Sequence, residues 1–506
     1  MAEILHHRAG LLGPKIELHV APEGLTLVGH GGPESVEFAP MRDVTSVDVK
    51  KHGRKANLTV SFGAARPAWA LRGVPMISAQ WAEALITEET AVLEKRGRPE
   101  YTQPVPMDKI PDACAAITTE KDGRAAVDLA DFLLVQGVMH EVSDVHFDPY
   151  SDAVLVRFRL DGVLQDVLRL DPGIKHRLTA RLKVLSHLAT FRKSVAQEGR
   201  AALKIGDRTV DFRFSAIPTI HGEKIAVRVF DPAKSIFAID ELGMSGRMLS
   251  ELQRMLMQPQ GTILLTGPAG SGKTTTMYAA LNYLRENKKN LSSIATVEDP
   301  VEYDLQVVNQ TQVNNTVGLT FANALRTVLR QDPEVIMIGE VRDRETADIA
   351  VQAGLTGHMI LSTVHARSAA GVPLRLIDLG VEPFLLTSSL TAVLSQRLVR
   401  TVCKSCVELY EPSAEETEKF GLDGGEKFTA GRGCAECANT GYAGRTGVFQ
   451  LVPISEPTRE LVIRRCALSE LEKQFEREGT RSLVNDGLDK AKAGITTLEE
   501  LARVLG

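Results

Sequence analysis

The stretch TILLTGPAGSGKTTTMYAAL, residues 262–281, decides the fold class of this chain. An apolar strand leads into GPAGSGKT, which matches the pattern G-x-x-x-x-G-K-[ST], and a helix-forming run follows. In this context, backbone N–H groups can face phosphates at a helix N-terminus, Lys273 adds a positive charge, and the Thr274 hydroxyl can ligate Mg²⁺. The stretch predicts a phosphate-binding loop in an α/β domain; the alternative is a glycine-rich turn without a nucleotide.

From about residue 243 to residue 400, short apolar strands alternate with longer helical segments, which predicts a largely parallel sheet. EVIMIGEVRD, residues 334–343, is expected to form a strand beside the one that enters the glycine loop. It ends at Gly339 and Glu340, which makes Glu340 the carboxylate that could polarise an attacking water. The alternative is a surface glutamate after a buried strand.

A second acidic cluster and two histidines lie in the same region. TVEDPVEY, residues 296–303, contains Glu298, Asp299 and Glu302, any of which could contact Mg²⁺ or water. LTGHMILSTVHA, residues 355–366, places His358 and His365 around a short strand; each is either a γ-phosphate sensor or an ordinary polar side chain. Phosphoryl transfer also needs arginine charge, although most candidates would form surface ion pairs. The candidates are Arg213, Arg228, Arg326, Arg330, Arg342 and Arg375.

Four of the six cysteines form two C-x2-C pairs, 27 residues apart: Cys403, Cys406, Cys434 and Cys437. Two such pairs predict a closed tetrahedral zinc site, which is structural because four thiolates leave no position for water. Redox pairs and free thiols are the alternatives. Cys114 and Cys466 are isolated, which is typical of small buried hydrophobic residues.

Composition excludes several classes of protein. The 506 residues are 43% apolar and 24% charged, as in ordinary folded chains, and the net charge of −5 gives no overall attraction to nucleic acid or to anionic membranes. No stretch approaches 18 uninterrupted apolar residues, and the first ten residues do not form a signal peptide. The sequence therefore predicts a cytosolic chain that does not span a membrane.

Changes in pattern along the chain predict six regions. Alternating strands closed by one helix indicate a β-rich domain over residues 1–96, and a linker rich in proline and polar residues covers 97–111. Residues 112–235 mix helices and strands as an α+β domain. The α/β domain with the glycine loop follows at 236–400, the cysteine insertion at 401–445, and a helical C-terminal subdomain at 446–506.

Several motifs in order resemble the secretion ATPases of the type II secretion and type IV pilus assembly class. They are GPAGSGKTTT, TVEDPVEY, residues 329–366, and the paired cysteines followed by GYAGRTGVFQL. Upstream, SDVHFDP, VRFRLDGVL and residues 210–231 are similar to that family's second N-terminal domain. The resemblance covers roughly residues 112–506. It implies a RecA-like P-loop ATPase domain preceded by an α+β domain and a small β-rich domain, with a zinc-binding insertion and a helical C-terminus.

The resemblance also implies an activity and partners. Such proteins form homo-hexamers that hydrolyse ATP with Mg²⁺ at the cytoplasmic face of the inner membrane, where they power assembly of a pilus or pseudopilus. Their partners are an inner-membrane platform protein and a cytoplasmic or membrane adaptor, so the chain would be a peripheral membrane protein. The presence of the zinc-binding insertion favours assembly over retraction.

Carried onto this sequence, the resemblance assigns a role to each motif. Residues 298–302 become the Asp box, Glu340 the catalytic glutamate of an atypical Walker B motif, and His358 and His365 the His box. Arg213 and Arg228 stand where the family's second domain presents arginines to the nucleotide. The Walker A loop comprises Gly267, Pro268, Ala269, Gly270, Ser271, Gly272, Lys273, Thr274 and Thr275.

The first hundred residues depart from the family. Their order of strands and then a helix is similar to a pleckstrin-homology-like module. VKKHGRK, residues 49–55, is either a basic patch for an anionic lipid or partner or a solvated hairpin turn. Two other functions stay open for the whole chain. One is a RecA-like motor on nucleic acid, contacted through the basic stretch KHRLTARLKVLSHLATFRK at 175–193; the other is a nucleotide-binding scaffold without hydrolysis.

Overall fold

The computed structural model describes the backbone of seven strands between residues 3 and 75, and then residues 103–119, 125–231, 238–289, 291–306, 308–423 and 425–506. The chain divides into two compact units, Met1–Asp231 and Pro232–Gly506. The predicted helix from residue 76, residues 97–102 of the predicted linker and the side chains of the basic segment 49–55 lie outside the described residues, so the comparison with a pleckstrin-homology-like module stays a prediction.

The first seven strands form two antiparallel sheets. One has the order β1-β2-β3-β4 and the other β5-β6-β7. The strands expected near residues 16–20, 44–49 and 58–62 are therefore confirmed. The bounds are β1 Glu3–Arg8, β2 Lys15–Ala21, β3 Gly24–His30, β4 Ser35–Pro40, β5 Val44–His52, β6 Lys55–Phe62 and β7 Trp69–Pro75.

The rest of the first unit is an antiparallel six-stranded sheet with helices on one face. Alternate residues of its central strands, such as Phe212 and Phe214, are buried against the helices, while the residues between them face outward. The strand order is β10-β9-β8-β13-β12-β11. The elements are α1 Ile110–Thr119, α2 Ala125–Met139, β8 Asp144–Pro149, β9 Val154–Leu160, β10 Val163–Leu170, α3 Lys175–Leu185, β11 Gln197–Ile205, β12 Arg208–Thr219 and β13 Gly222–Phe230.

The second unit is built around a seven-stranded sheet of order β16-β15-β17-β18-β14-β19-β22, parallel except for β22. Its central strands are fully buried, as expected for a sheet covered on both faces. The strands are β14 Gly261–Thr266, β15 Ile294–Glu298, β16 Asn309–Gln312, β17 Val335–Ile338, β18 Met359–Thr363, β19 Leu390–Val402 and β22 Tyr442–Pro453. The helices are α4 Gly246–Leu256, α5 Lys273–Asn287, α6 Phe321–Val328, α7 Arg344–Leu355, α8 Gly371–Asp378 and α9 Pro383–Ser389.

One expectation about this sheet is wrong. The strand β17, which Glu340 follows by two residues, does not lie beside the P-loop strand β14. Strand β18 pairs with both of them and separates them. The physical reason is that a crossover connection can carry the chain past the neighbouring position in a parallel sheet. A later strand, here β18, then fills the position that was left open. As a result β18 brings His365 between the P-loop and Glu340.

A small insertion and four helices complete the second unit. The insertion contains β20 Val407–Tyr410, which pairs with β21 Phe428–Gly431, and α10 Ala414–Phe420. The C-terminal helices, predicted from the sequence, are α11 Glu456–Ile463, α12 Leu468–Arg477, α13 Leu483–Lys492 and α14 Leu498–Leu505. The last two pack on β22 and β19, α13 through Ala491 and α14 through Leu498 and Leu501.

Candidate active site and metal centre

The glycine loop connects β14 to α5 as the sequence predicts. Gly272, the residue before the helix, has a φ of 84°, and Gly267 has a φ of 152°, both in the region that favours glycine. A Cβ on Gly267 would also lie 2.4 Å from the carbonyl oxygen of Gln396. Helix α5 has no side-chain cap, so its first backbone N–H groups can receive an anion.

Lys273 folds back onto the loop. Its Nζ donates to the carbonyl oxygens of Gly267, at 2.9 Å, and Pro268, at 2.8 Å. Burial lowers the pKa of the Lys273 ammonium, while the Glu340 carboxylate acts to raise it and the Arg397 guanidinium to lower it. The ammonium therefore has carbonyl partners that a phosphate, as a charged acceptor, can replace.

Glu340 stands at the carboxyl end of β17, with both of its oxygens in contact with basic groups. The guanidinium of Arg342 pairs with Oε1, and Nε2 of His365 lies 3.3 Å from Oε2. Its side chain is only 15% exposed. The backbone around it is fixed by two hydrogen bonds to β18: the Thr363 hydroxyl donates to Gly339 O, and Val341 N–H donates to Thr363 O.

Glu298, at the end of β15, is held by neutral donors. The Tyr278 hydroxyl donates to Oε2, while Thr296 Oγ1 and Gln310 Nε2 donate to Oε1 at 2.5 and 3.0 Å. The pKa of Tyr278 is raised by burial and by Glu298, so the phenol keeps its proton and donates. Tyr278 belongs to α5, so this contact ties the P-loop helix to the acidic segment 298–302.

These groups line one cavity of about 190 Å³ at the carboxyl ends of the parallel strands. Its lining includes Lys273, Thr274, Glu298, Asp299, Glu302, Glu340 and His365. Four carboxylates thus face one ammonium and one imidazole. A polyphosphate would be repelled by such a lining unless a cation accompanied it, so the donor set fits a hard divalent cation such as Mg²⁺ held through the Thr274 hydroxyl and carboxylates.

The two histidines of the segment 355–366 are not brought together. His365 follows the carboxyl end of β18 and lines the cavity, whereas His358 precedes the strand at its opposite end. The His358 ring nitrogen Nδ1 contacts the carbonyl oxygen of Ala353, at 3.1 Å, in the last turn of α7. This geometry gives His358 a contact that supports the helix end, and its predicted role with the nucleotide stays a prediction.

Arg213 and Arg228, in the first unit, are paired directly across β12 and β13 on the outward face of the six-stranded sheet. Arg213 stacks on the Phe230 ring, with its guanidinium carbon 4.3 Å from the ring centre, and Arg228 Nε donates to Asp144 Oδ1 at 3.1 Å. The cross-strand register continues this line to Arg200 on β11 and to Arg159 on β9.

We call Arg200, Arg213, Arg228 and Arg159 the arginine row. The sequence analysis missed Arg200 and Arg159 because their alignment depends on strand register, which single-sequence patterns do not fix. The alternation QEGRAALKI in β11 could have indicated that Arg200 faces outward. Asp144, between Arg228 and Arg159, is the one acidic residue in this register line.

The basic stretch at 175–193 is helical only as far as Leu185. Its Leu178 and Leu182 are buried in the core. Two of its cations are also buried and paired: Arg181 Nη2 lies 2.7 Å from Asp131 Oδ1, and Lys183 Nζ lies 2.7 Å from Glu223 Oε1. These charges stabilise the domain and are not available to nucleic-acid phosphates.

The four predicted cysteines form a cluster in the second unit, with their sulfur atoms all within 4.8 Å of one another. The Sγ–Sγ distances are 3.9 Å for Cys403–Cys434, 3.8 Å for Cys406–Cys437 and 3.7 Å for Cys434–Cys437. Four thiolates about 2.3 Å from a central Zn²⁺ in a tetrahedron would stand about 3.8 Å apart. The cluster therefore fits zinc, and the spacing is too long for disulfides.

The pKa values within the cluster differ: burial raises the pKa of Cys403 and raises that of Cys406 to about 12. Burial acts to raise the pKa of Cys437, but hydrogen bonds from backbone N–H groups of Cys434 and Gly441, at 3.2 and 3.3 Å, help to lower it to about 7. Cys114, outside the cluster, is buried as predicted, and burial raises its pKa to about 12. Within the described part of the chain, no helix is both long and apolar enough to cross a bilayer.

The chain matches the family model described as type II/IV secretion system protein over residues 119–503. It is 43% identical over 386 residues to the type II secretion system ATPase E of Vibrio cholerae, covering 76% of each chain. It is 44% identical over 398 residues to the type II secretion system protein HxcR of Pseudomonas aeruginosa, covering 79% of this chain and 81% of that one.

Two solved structures share the fold. The ATPase DotB of Legionella pneumophila gives a TM-score of 0.56 at 18% identity, covering 74% of this chain and 94% of that chain. The pilus retraction motor PilT with bound ADP gives 0.50 at 23% identity, covering 73% and 95%. The fold, the phosphate-binding loop and the sequence identity agree, and the chain belongs to the type II/IV secretion system protein family as an ATPase.

Proposed function

We propose that this chain forms a hexameric motor that hydrolyses ATP with Mg²⁺ to power assembly of a type II secretion pseudopilus or a type IV pilus. The observation that carries the proposal is the convergence of Lys273, Glu340 and His365 on one cavity beside a helix N-terminus. Identity of 42–44% to type II secretion proteins over about three quarters of the chain supports this machinery.

The chemistry follows from the contacts of Glu340. Its two oxygens are both in contact with basic groups, which compete with a water molecule for the carboxylate as acceptor. A γ-phosphate brings negative charge that competes with Glu340 for His365 and Arg342. Binding of ATP thus frees Glu340 to orient and deprotonate water, while Lys273 moves from its carbonyl partners to the phosphates. Mg²⁺, held by Thr274 and neighbouring carboxylates, would neutralise phosphate charge in the acid-rich cavity.

The arginine row is proposed to supply the remaining positive charge to the nucleotide through Arg213 and Arg228, as the family resemblance implies. If these arginines act on the site of a neighbouring subunit, two defective chains can complement each other. We expect Arg228→Ala to lower the turnover number about tenfold or more, because one charge near the transferred phosphate is lost. Mixing that variant with Lys273→Ala should restore part of the phosphate release, since mixed oligomers then contain intact composite sites.

The matched control is Arg169→Ala, which removes an exposed arginine from β10 of the same sheet. Arg169→Ala should keep wild-type turnover. Its mixture with Lys273→Ala should release no more phosphate than Arg169→Ala releases alone. Mixed oligomers that contain both chains and yet release no more phosphate than the separate variants would contradict action between subunits. Size-exclusion chromatography with light scattering on the same samples measures the oligomer.

The cysteine cluster is proposed to hold one structural Zn²⁺. We expect about one zinc per chain, measured by mass spectrometry of metals after chelator-free, reducing purification. Cys437→Ser should lose most of the zinc and lower Tm by several degrees, because the insertion loses its cross-link. Cys466→Ser, outside the cluster, is the matched control. Zinc far below one per chain in the wild type would reject the assignment.

Partners and location are also proposed from the family. We propose that the chain works at the cytoplasmic face of the inner membrane as a peripheral protein, bound to a membrane platform protein and to an adaptor. Co-purification from membranes with the full chain and with residues 1–96 deleted tests the adaptor contact. If the chain without residues 1–96 is recovered with membranes as well as the full chain, residues 1–96 do not form the proposed adaptor contact.

A further inference from the structure

The strand β19 runs beside the P-loop from the side opposite to β18. Ser395 on β19 pairs with Thr266, the last residue of β14, so the next residues, Gln396 and Arg397, lie against the glycine loop. The approach is close, since the carbonyl oxygen of Gln396 leaves no room for a side chain at Gly267. Neither residue is among those that line the cavity.

Gln396 holds the middle of the loop. Its Nε2 donates to the carbonyl oxygen of Ser271 at 2.6 Å, and the side chain is 1% exposed. A buried amide with such a short hydrogen bond fixes the loop from behind. The P-loop is therefore anchored to β19 at Ser271 and packs closely against it at Gly267.

Arg397 extends this anchor to the loop that carries His365. Its Nη1 donates to Gln396 O at 2.9 Å and its Nη2 to Arg367 O at 3.0 Å, two residues beyond His365. Thr266 Oγ1 also donates to Ala366 O, at 2.9 Å, so the segment 365–367 is fastened from both sides.

A half-buried guanidinium normally needs a carboxylate partner, and burial lowers the pKa of Arg397. None of the carboxylates in the described part of the chain forms a salt bridge with it; its guanidinium donates to main-chain carbonyls. The charge instead lies near Lys273, whose ammonium it disfavours. Burying a guanidinium without a carboxylate costs free energy. That cost is explained if the planar guanidinium is needed to join two backbone segments, β19 at Gln396 and the loop at Arg367.

We infer that Arg397 is a positioning residue for hydrolysis: it holds the segment 365–367 against β19, beside the P-loop, and so keeps His365 in the cavity next to Glu340, where the γ-phosphate can reach it. The inference rests on the proposed roles of Glu340 and His365. It predicts that removing the fork slows the chemical step, because His365 is no longer held in one geometry toward the γ-phosphate. Affinity for the nucleotide should change little, since Lys273 and the helix N-terminus remain.

The test is a double-mutant cycle on the full-length chain with Arg397→Ala, His365→Ala and the double variant. Single-turnover release of radiolabelled phosphate resolves the slow rates, and titration with a fluorescent ATP analogue and Mg²⁺ gives Kd. We expect Arg397→Ala to lower the single-turnover rate about tenfold and to change Kd less than about twofold. In the His365→Ala background the same substitution should cost less than about twofold, because the residue it positions is gone.

Two further variants sharpen the result. Arg397→Lys keeps the charge but not the planar fork, so its rate should stay near that of Arg397→Ala. Arg254→Ala, which removes an exposed arginine from α4, is the matched control and should behave as wild type. Circular dichroism and the unchanged Kd show that each variant is folded.

Three results would overturn the inference: a full tenfold loss from Arg397→Ala in the His365→Ala background, full recovery by lysine, or a loss that appears in Kd alone. The His365→Ala single variant reports separately on the proposed function. If it turns over like wild type, the role of His365 in hydrolysis fails, whatever Arg397 does.

Discussion

Lys273→Ala is expected to reduce ATP hydrolysis at least about a hundredfold, to the background of a phosphate-release assay. The ammonium sits at the mouth of the glycine loop, where its present partners are the carbonyl oxygens of Gly267 and Pro268. Alanine leaves a cavity lined by four carboxylates without its one ammonium, so affinity for the triphosphate should fall as well.

A matched control for Lys273→Ala is Lys288→Ala, which removes a lysine at the far end of the same helix, where its Nζ contacts Gln258 O at 3.4 Å. That variant should keep the wild-type rate. Turnover of Lys273→Ala within about twofold of wild type, with the protein shown to be folded, would place hydrolysis at another site.

Glu340→Gln should have a different signature, with hydrolysis lost and binding kept. The amide has nearly the same shape but cannot take a proton from water, and loss of a general base typically costs about 10²- to 10⁴-fold. It also removes a negative charge from the acid-rich cavity, so affinity for ATP with Mg²⁺ should be equal to or tighter than in the wild type. Stopped-flow phosphate release and equilibrium titration measure the two effects.

Glu334→Gln is the isosteric control at the opposite end of the same strand. Glu334 accepts hydrogen bonds from the backbone and hydroxyl of Ser292, which lower its pKa, and it does not line the cavity. We expect this control to turn over normally. Equal rates in Glu340→Gln and wild type would move the base elsewhere, with Glu298 the next carboxylate to replace.

How much of this site the sequence could predict depends on how local each feature is. The glycine loop and the two C-x2-C pairs are local patterns with a physical reason for each residue, so Lys273, Thr274 and the four cysteines were predicted directly. Glu340 was found because a carboxylate that follows an apolar strand must emerge at the strand end. In each case a short segment contains the whole signal.

Features that depend on the order and register of strands were not predicted. The insertion of β18 between β14 and β17 was missed because sequence order does not give sheet order. The placement of His358 and His365 on either side of a short strand was predicted, since the segment 355–366 contains the whole strand, and it is confirmed. Arg200 joins the arginine row only through register, and Arg397 lies beside Gly267 of the P-loop from a strand more than a hundred residues later in the chain.

The central claim, that ATP is hydrolysed in the cavity between Lys273 and Glu340, is tested most directly by a structure of Glu340→Gln with ATP and Mg²⁺. We predict a triphosphate at the start of α5, with Lys273 Nζ on phosphate oxygens and no longer on the carbonyls of Gly267 and Pro268, and with His365 facing the γ-phosphate. A nucleotide bound elsewhere, or Lys273 still on those two carbonyls with ATP present, would contradict the account.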